Sequence, residues 1–390
     1  TATLLLFSFM GIVPLGAQAE EINQLETINV SATAESKTLA GKDEVYSKNN
    51  VTEYKSKKEI ETYHSQSVSD LLSGITGVYS GDARNGGAID PIIRSSWGQG
   101  RIPVLVDDTE QAITIWRGYS GVSNRNYLDP FLVSEVNVEK GPNLDRSLRS
   151  GAAGTIRMST LNPDDIIKPG KKWGIELKTE TANNSIKARP YQGIPIGQDY
   201  RLVASDGRAE LGEWASIFRF DDRVEPRAKG RNKPLHDNAV RLALAAKDDS
   251  YEVLGAYAYR NKGNYFAGKR GGKKYGEGTT GPLNLDKNSD DPYIPLIARI
   301  YKPGEEVPNT SYESQSWLLK GKLHFNKYAS LSANFRDTRI NYGDIMPSRL
   351  GYNYSAHNTV TQWPLADVKQ KTGNVEFSYN PPDNKWLDLK

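Results

Sequence analysis

The sequence predicts a membrane protein of the all-β class, in which a transmembrane antiparallel β-barrel follows a smaller α+β domain. Three observations lead to this prediction. Beyond about residue 172, apolar and polar residues alternate along strand-like segments. The connections between these segments are short at one rim and long at the other, as in outer-membrane barrels. After the N-terminal leader, no apolar run is long enough to form a membrane helix.

The first 19 residues read as a secretory signal peptide. Thr3–Leu15 is almost wholly apolar but too short to span a bilayer, and Ala17-Gln18-Ala19 fits a small-x-small cleavage site. Because there is no start Met and no basic n-region, we expect the sequence to begin inside this signal. The alternative is a buried N-terminal helix. The signal predicts export. The chain has no cysteine, so disulfide bonds cannot form even in an oxidising compartment.

A polar, flexible segment over residues 20–44 contains an extended, β-prone pentapeptide. Its residues are Glu26, Thr27, Ile28, Asn29 and Val30. No proline occurs between Glu20 and Gly41, so the backbone donors of the pentapeptide are available. Such a peptide can add as a strand to the sheet edge of another protein. The alternative is an ordinary disordered tail.

Residues 45–165 read as a compact α+β domain. Ser67–Leu72 is a predicted helix with Ser67 as N-cap, Asp70 at its third position and Gly74 at its end. The strand candidates that follow are separated by glycine-rich turns. They are Gly77–Ser80, Pro91–Arg94, Ile102–Val106 and Val133–Glu139.

Residues 172–390 read as strands of the barrel. Apolar residues alternate with polar or small ones in five clear segments, which begin near Trp173, Trp214, Val240, Trp317 and Val375. Tight turns are expected at Asp248–Ser250, Asn326–Tyr328 and Pro381–Asn384, whereas about 55 residues separate Arg260 from Trp317. A soluble β-sandwich is the alternative. We count about nine strands, and because Lys385–Lys390 stops in mid-alternation we expect further strands beyond it.

Composition and motifs exclude several classes of function. A net charge of +3 argues against a polycationic nucleic-acid-binding protein. The four histidines have no metal-ligand spacing, and neither a Gly-x-Ser-x-Gly nor a His-Glu-x-x-His motif occurs. We therefore predict no enzyme activity, no resident metal and no cofactor.

The ordered motifs resemble those of the TonB-dependent outer-membrane receptors. They are Ser67–Leu72 with Gly77-Val78, Ile92-Ile93-Arg94, Val104–Asp108, Leu128-Asp129-Pro130, Ser134–Pro142 and Ser150–Gly154. The resemblance implies a plug domain over residues 45–165 inside a barrel of 22 strands. It further implies a TonB box at residues 26–30, a TonB-type protein as energy-transducing partner, and the outer membrane of a Gram-negative bacterium as location. This sequence departs from the family pattern at Arg94-Ser95, Lys140-Gly141-Pro142 and Gly154-Thr155.

A ligand site is predicted in the loops between plug strands, because iron chelates and haem need cations and aromatic surfaces. The candidates are Arg84, Trp97, Gly98, Gln99, Arg101, Trp116 and Tyr119, with Arg117, Arg125 and Tyr127 in the same loops. For each of them, packing of plug against barrel is the alternative. Arg94 lies in a strand motif and is predicted to contact carboxylates of the barrel.

The expected function is import of an iron chelate, with a ferric siderophore favoured over haem. Ligand binding would release the TonB box, and coupled energy would then rearrange the plug. The alternative is a passive plugged barrel or a docking platform without energised transport. Tyr259–Arg270 is expected to be an exposed basic and aromatic segment, and ligation of haem by His236 or His357 is left open beside a surface role.

Overall fold

The computed structural model describes residues 34–63, 65, 67–81, 87–98, 100–111, 113–116, 122–143, 145, 148, 150–192, 222–228, 236–270, 301–345 and 360–381. They all belong to one compact unit that spans Thr33–Lys390. The predicted signal peptide, the predicted TonB box and the strand candidates at residues 214–220 and 385–390 lie outside the described residues.

The predicted plug domain is a mixture of short helices and strands. In chain order they are α1 (Ala34–Ser47), β1 (Val51–Lys55), α2 (Lys57–Thr62), a 3₁₀ helix (Val68–Leu72), β2 (Val78–Ser80), β3 (Pro91–Ile93), β4 (Val104–Val106), β5 (Thr109–Glu110), β6 (Ile113–Trp116), β7 (Val122–Arg125), a second 3₁₀ helix (Pro130–Leu132), β8 (Val133–Lys140), β9 (Gly154–Thr160) and α3 (Pro163–Ile166). All four strand candidates of this domain are present, with ends that differ by one or two residues.

The predicted helix at residues 67–72 is a 3₁₀ helix. The backbone N of Ser67 donates to Oδ2 of Asp70 at 2.9 Å, as the capping pattern suggested. The chain then turns at Gly74, whose φ is +81°. One turn of five residues gives too few i to i+4 hydrogen bonds to make an α-helix stable, so the tighter form is observed.

The core of the domain is a five-stranded sheet in the order β1-β8-β9-β4-β5. β1 and β9 pair antiparallel with β8, and β4 runs parallel to β9. The faces of these strands that point inward carry Val104, Val136, Val138 and Ile156, each at most 1% exposed. At Gly154, φ is +146° and a Cβ would lie 2.3 Å from the Glu139 carbonyl oxygen, so this position requires glycine.

Beyond the plug domain the chain forms a second sheet, which we call the wall sheet. Its region contains β10 (Trp173–Ala182), β11 (Ser185–Ile186), β12 (Asp222–Val224), β13 (Asp237–Asp248), β14 (Tyr251–Lys262), β15 (Asn264–Tyr265), β16 (Tyr312–Asn326), β17 (Ala329–Tyr342), β18 (Val360–Gln362) and β19 (Ala366–Tyr379). The wall sheet is antiparallel in the order β10-β13-β14-β16-β17-β19. The tight turns predicted after Asp248 and Asn326 are both present.

The two faces of the wall sheet differ as the alternation predicted. On the outward face Trp173, Leu177, Leu319, Phe325 and Val375 are between 53% and 73% exposed. On the inward face Arg241, Leu318 and Thr338 are at most 1% exposed, because the plug domain packs against them. Apolar side chains therefore face away from the protein, as lipid contact requires.

The long connections at one rim fold into a layer of their own, which we call the outer-loop layer (residues 183–192, 222–228, 263–267, 301–311 and 360–363). β11 pairs with β15, and β12 pairs with β18. The predicted exposure of Tyr259–Arg270 is wrong for its middle part, since Asn264 is 1% and Phe266 is 3% exposed. These residues are covered because Ala267 N donates to Glu305 O at 2.8 Å and Phe266 N to Asn184 O at 3.3 Å. Only residues 268–270 of the segment are exposed.

In the part of the chain that the structure describes, none of the helices has the length and apolar character needed to cross a membrane.

Candidate functional site

Two of the predicted ligand loops adjoin segments that are hydrogen-bonded to each other. Ile89 and Asn126 exchange two backbone hydrogen bonds of 2.9 Å, which join the loop after β2 to the end of β7. Asn124 N also donates to Oδ1 of Asp90 at 3.0 Å. Trp116 is the last residue of β6 and pairs with Val122 at the tip of the β6–β7 hairpin. Arg84, Arg117 and Tyr119 belong to these two loops but lie outside the described residues.

The turn that contains Trp97 lies at the opposite end of β2 and β3. The loop with Arg84 follows β2 at Ser80, whereas the Trp97 turn follows β3 at Ile93, next to Val78. Trp97 is 56% exposed, and Gly98 has a φ of +102°. The Trp97 turn and the loop that contains Arg84 therefore follow opposite ends of the β2–β3 pair.

Three further residues with predicted roles lie near Trp97 in the chain: Arg94 before it, and Gln99 and Arg101 after it. Arg101 is exposed, and its carbonyl accepts from Ala153 N at 3.2 Å. Gln99 lies outside the described residues. Arg94 is exposed and has a φ of +47°. Its motif placed it in the strand, but it begins the turn that follows. Its predicted contact with the barrel stays a prediction.

Arg125 and Tyr127 pack against the outer rim of the wall sheet. Arg125 is 3% exposed and forms an ion pair with Asp344 of 2.6 Å between Nη2 and Oδ2. It also donates to the Tyr342 hydroxyl. The hydroxyls of Tyr127 and Tyr342 are 3.2 Å apart. For these two residues of the predicted ligand loops, packing is the role that the structure supports.

The comparisons with known proteins agree with this architecture. Residues 45–155 match the family described as TonB-dependent Receptor Plug Domain. The chain is 38% identical to the hemophilin receptor of Acinetobacter baumannii over 361 residues, which is 91% of this chain and 33% of that protein. It is 32% identical to the heme transporter BhuA of Brucella abortus over 121 residues, or 31% of this chain and 17% of that protein.

Two solved structures have a similar fold. The hemophore receptor HasR of Serratia marcescens, in complex with its hemophore and heme, superposes with a TM-score of 0.57 at 17% identity, over 89% of this chain and 37% of that chain. The FrpB iron transporter of Neisseria meningitidis gives a TM-score of 0.51 at 14% identity, over 85% and 37%. The chain belongs to the TonB-dependent outer-membrane receptors.

This receptor lies in the outer membrane of a Gram-negative bacterium, and its fold is a β-barrel with an N-terminal plug. The family consists of receptors and transporters, not of enzymes. The chain spans about a third of the hemophilin receptor, so the number of strands in the whole barrel stays a prediction.

Phe131 fixes the plug of the receptor to the wall sheet. We call Phe131 and the three cations around its ring the Phe131 cluster. The centroid of the ring lies 4.4 Å from Cζ of Arg260, 5.1 Å from Nζ of Lys178 and 5.9 Å from Cζ of Arg241. Arg241 also donates to the Phe131 carbonyl. Cations over aromatic faces attract the ring's quadrupole most strongly where water is excluded. Sequence analysis missed this cluster, because its members are far apart in the chain.

Carboxylates balance the cations of the Phe131 cluster. Glu61 of the plug lies 3.2 Å from Lys178 and 3.4 Å from Arg241. Asp129, fully buried, accepts from Phe131 N at 2.9 Å and from the Ser314 hydroxyl. The cluster is therefore a paired network, as buried charges require.

A second contact fixes the foot of the plug. The turn between β4 and β5 places Asp107 and Asp108 at φ values of +48° and +58°. Lys320 of the wall sheet donates to Oδ1 of Asp107 at 2.9 Å and to Thr160 O at 3.2 Å. Asn374 donates to the Asp107 carbonyl at 3.1 Å. The strained turn is thus held by two strands of the wall sheet.

No metal centre is found within the described ranges, where no group of three or more His, Cys, Asp or Glu residues is close enough to hold an ion. His324 lies 2.9 Å from Glu252 at the rim with the tight turns, and His236 lies 3.8 Å from Asp237 at the opposite rim. His64 and His357 lie outside the described residues.

Proposed function

We propose that the receptor imports haem across the outer membrane with energy from a TonB-type protein. The observation that carries this proposal is the 38% identity to a hemophilin receptor over 91% of the chain. A second relative above 30% identity is a heme transporter. The sequence alone favoured a ferric siderophore over haem, and these relatives support the reverse order.

The plug loops supply the chemistry that haem needs. Haem is a flat, largely apolar ring with two carboxylates, so it binds to aromatic faces and cations together. We assign its main contacts to Arg84, Trp116 and Tyr119, which supply one cation and two aromatic rings. Trp97, Gly98, Gln99 and Arg101 offer the same chemistry in the turn after β3, and we keep them as a second contact.

A continuous stretch of chain supports coupling between the ligand loops and the N-terminus. From the β6–β7 hairpin the chain passes through the Phe131 cluster into β8, and β8 pairs with the edge strand β1 over five residues. β1 follows α1, which in turn follows residues 26–30 along the chain. Binding that shifts the hairpin shifts the equilibrium at β1, and with it the exposure of the TonB box.

The ligand is tested by uptake. Iron-starved cells that express the full-length protein are offered labelled haem and labelled ferric siderophores in parallel. We expect accumulation of haem and none of the siderophores. Siderophore uptake without haem uptake would reject haem as the ligand.

Energy coupling is tested by deletion of residues 26–30. We expect haem to bind at the cell surface as in the wild type, with no uptake, because the strand that a TonB-type protein pairs with is gone. A deletion of five residues at 20–24 is the matched control and should transport normally. Uptake that persists without residues 26–30 would favour the alternative, a passive plugged barrel or a docking platform.

A further inference from the structure

The inward face of the wall sheet carries a cation in each of four successive rows of paired residues. The registers place Arg260 in the first row, Lys178 and Arg241 in the second, Arg336 in the third and Lys320 in the fourth. The same rows contain two carboxylates, Glu180 and Glu176. Five cations and two carboxylates leave a net charge of +3 on this part of the wall.

The plug faces this excess with three carboxylates and one cation, since Lys57 of the plug pairs with Glu176 at 3.2 Å. Glu61 pairs with Lys178 and Arg241, Asp129 lies 4.0 Å from Arg260, and Asp107 accepts from Lys320. Displacement of these plug segments would leave the positive wall without its counter-charges. The passage that opens would then attract an anion.

The other four cations each form an ion pair with a carboxylate, whereas no such pair is found for Arg336 among the residues that the structure describes. Arg336 is 3% exposed, and its Nε and Nη2 have no hydrogen-bond acceptor in that part of the chain. Asp107 of the plug interacts with Arg336 electrostatically but accepts no hydrogen bond from it, and buried guanidinium nitrogens without an acceptor destabilise the folded state. An ionisable residue inside a membrane protein indicates a functional site.

We propose that Arg336, between Arg260 above and Lys320 below, is an anion-binding site of the inner wall that receives the carboxylates of the ligand during its passage. The inference rests on the proposed import of haem, whose two carboxylates are the chemical groups concerned. The strand register supports a stepwise path. Arg336 pairs with Leu318, and Lys320 is the next residue on the same face of β16, so the two cations lie in adjacent rows. As a carboxylate of the ligand leaves the cation of one row, the cation of the next row is available to bind it.

The test compares Arg336→Gln with Arg339→Gln in the full-length receptor. Arg339 lies on the same strand but outward, with 60% of its side chain exposed, so it is the matched control. The probes are iron protoporphyrin IX with free carboxylates and its dimethyl ester. Initial uptake rates are measured in iron-starved cells, surface binding in cells without the TonB-type protein, and entry of a large antibiotic as a measure of plug seating.

For Arg336→Gln we expect the uptake rate of the diacid to fall about tenfold, which corresponds to ~1.4 kcal/mol. Surface binding, antibiotic exclusion and uptake of the ester should match the wild type. Arg336→Lys, which keeps the charge, should retain most of the diacid rate, and Arg339→Gln should change nothing.

Three results would overturn the inference: an unchanged diacid rate, an equal loss for diacid and ester, or antibiotic entry. If wild-type cells import no haem, the proposed function fails by itself. The site is then judged with an anionic ferric chelate that the wild type does import, and Arg336→Gln must still slow it.

Discussion

At the scale of single residues, Phe131 has many interactions although it belongs to none of the sequence motifs. Its ring meets three cations from three different strands of the wall sheet, and its backbone is bound by Asp129 and Arg241. Each cation contributes about 0.5–2 kcal/mol, depending on how fully it is desolvated. An aliphatic side chain of similar size keeps the apolar contact but loses this electrostatic part.

We therefore predict that Phe131→Leu loosens the plug without unfolding the barrel. Amide hydrogen exchange of the full-length receptor should become about tenfold faster at Leu132, whose N donates to Asp129 O at 3.0 Å, since ~1.4 kcal/mol of protection is lost. Phe377→Leu on the lipid-facing side of β19 is the control and should leave this amide unchanged. Equal exchange in both variants would contradict the role of the ring.

At the scale of elements, the outer-loop layer depends on one buried carboxylate. Glu306 is 2% exposed and accepts from Nε and Nη2 of Arg227, each at 2.6 Å, and from Asn264 at 2.9 Å. Burial by itself raises the pKa of the Glu306 carboxyl, but hydrogen bonds from Arg227 and Asn264 outweigh it and hold the pKa below its ordinary value of 4.5. Three segments that are distant in sequence thus meet at Glu306.

The layer should accordingly lose stability only in acid. Because the folded pKa of Glu306 is depressed, its contribution is complete above the unfolded value of about 4.5 and is lost as pH falls through the folded value. Limited proteolysis at residues 301–307 should be constant from neutral pH down to about pH 5 and should increase below pH 4.5. Onset of cleavage near neutral pH would contradict this assignment.

Glu306→Gln should open the layer at neutral pH, with a loss of about 1.5–3 kcal/mol, because Arg227 keeps its charge and loses its partner. Asp367→Asn removes an exposed ion pair with Lys369 of 3.3 Å and is the matched control, expected within about 1 kcal/mol of the wild type.

Helices and strands were predictable from the sequence where their own residues determine their secondary structure. Alternation located β10, β13, β16 and β19, because lipid on one face and protein on the other select residues at every second position. β11, β12, β15 and β18 were missed. They have two or three residues each and exist through pairing with partners up to 140 positions away, such as Gln362 opposite Asp222, which a local pattern does not show.

The arrangement of the candidate site was not predictable from the sequence. The residue types in the plug loops pointed to a flat, anionic ligand, yet the sequence grouped Arg84 with Trp97, which follow opposite ends of the β2–β3 hairpin. Arg125 and Tyr127 were equal candidates for binding or packing, and only the contacts with Tyr342 and Asp344 separate the two roles. Contacts over 200 positions leave no periodic signal.

At the scale of the whole molecule, the receptor separates two environments by the faces of a single sheet. On β14, β16, β17 and β19 the outward rows from Leu323 to Leu319 are apolar. In the next row towards the outer rim the rings of Tyr257 and Trp317 meet with centroids 4.5 Å apart, and Asp337 and Lys371 follow them. Inward rows combine small apolar residues with charged ones, and both kinds contact the plug. A charged side chain is therefore tolerated on the inward face of the sheet. On the outward face its cost depends on how far the residue lies from the rim.

This gives a last prediction, on Leu319→Arg. Leu319 is outward and 53% exposed, in the middle of β16, so an arginine there enters the hydrocarbon region and should lower the free energy of unfolding of the membrane-inserted receptor by about 2–4 kcal/mol. Gln315→Arg is the matched control, because Gln315 is on the same face of β16 but four residues nearer the outer rim, where the penalty is about 0–1 kcal/mol. Denaturant titration of both variants in lipid vesicles measures the difference, and equal stabilities would show that this face of the sheet does not contact lipid.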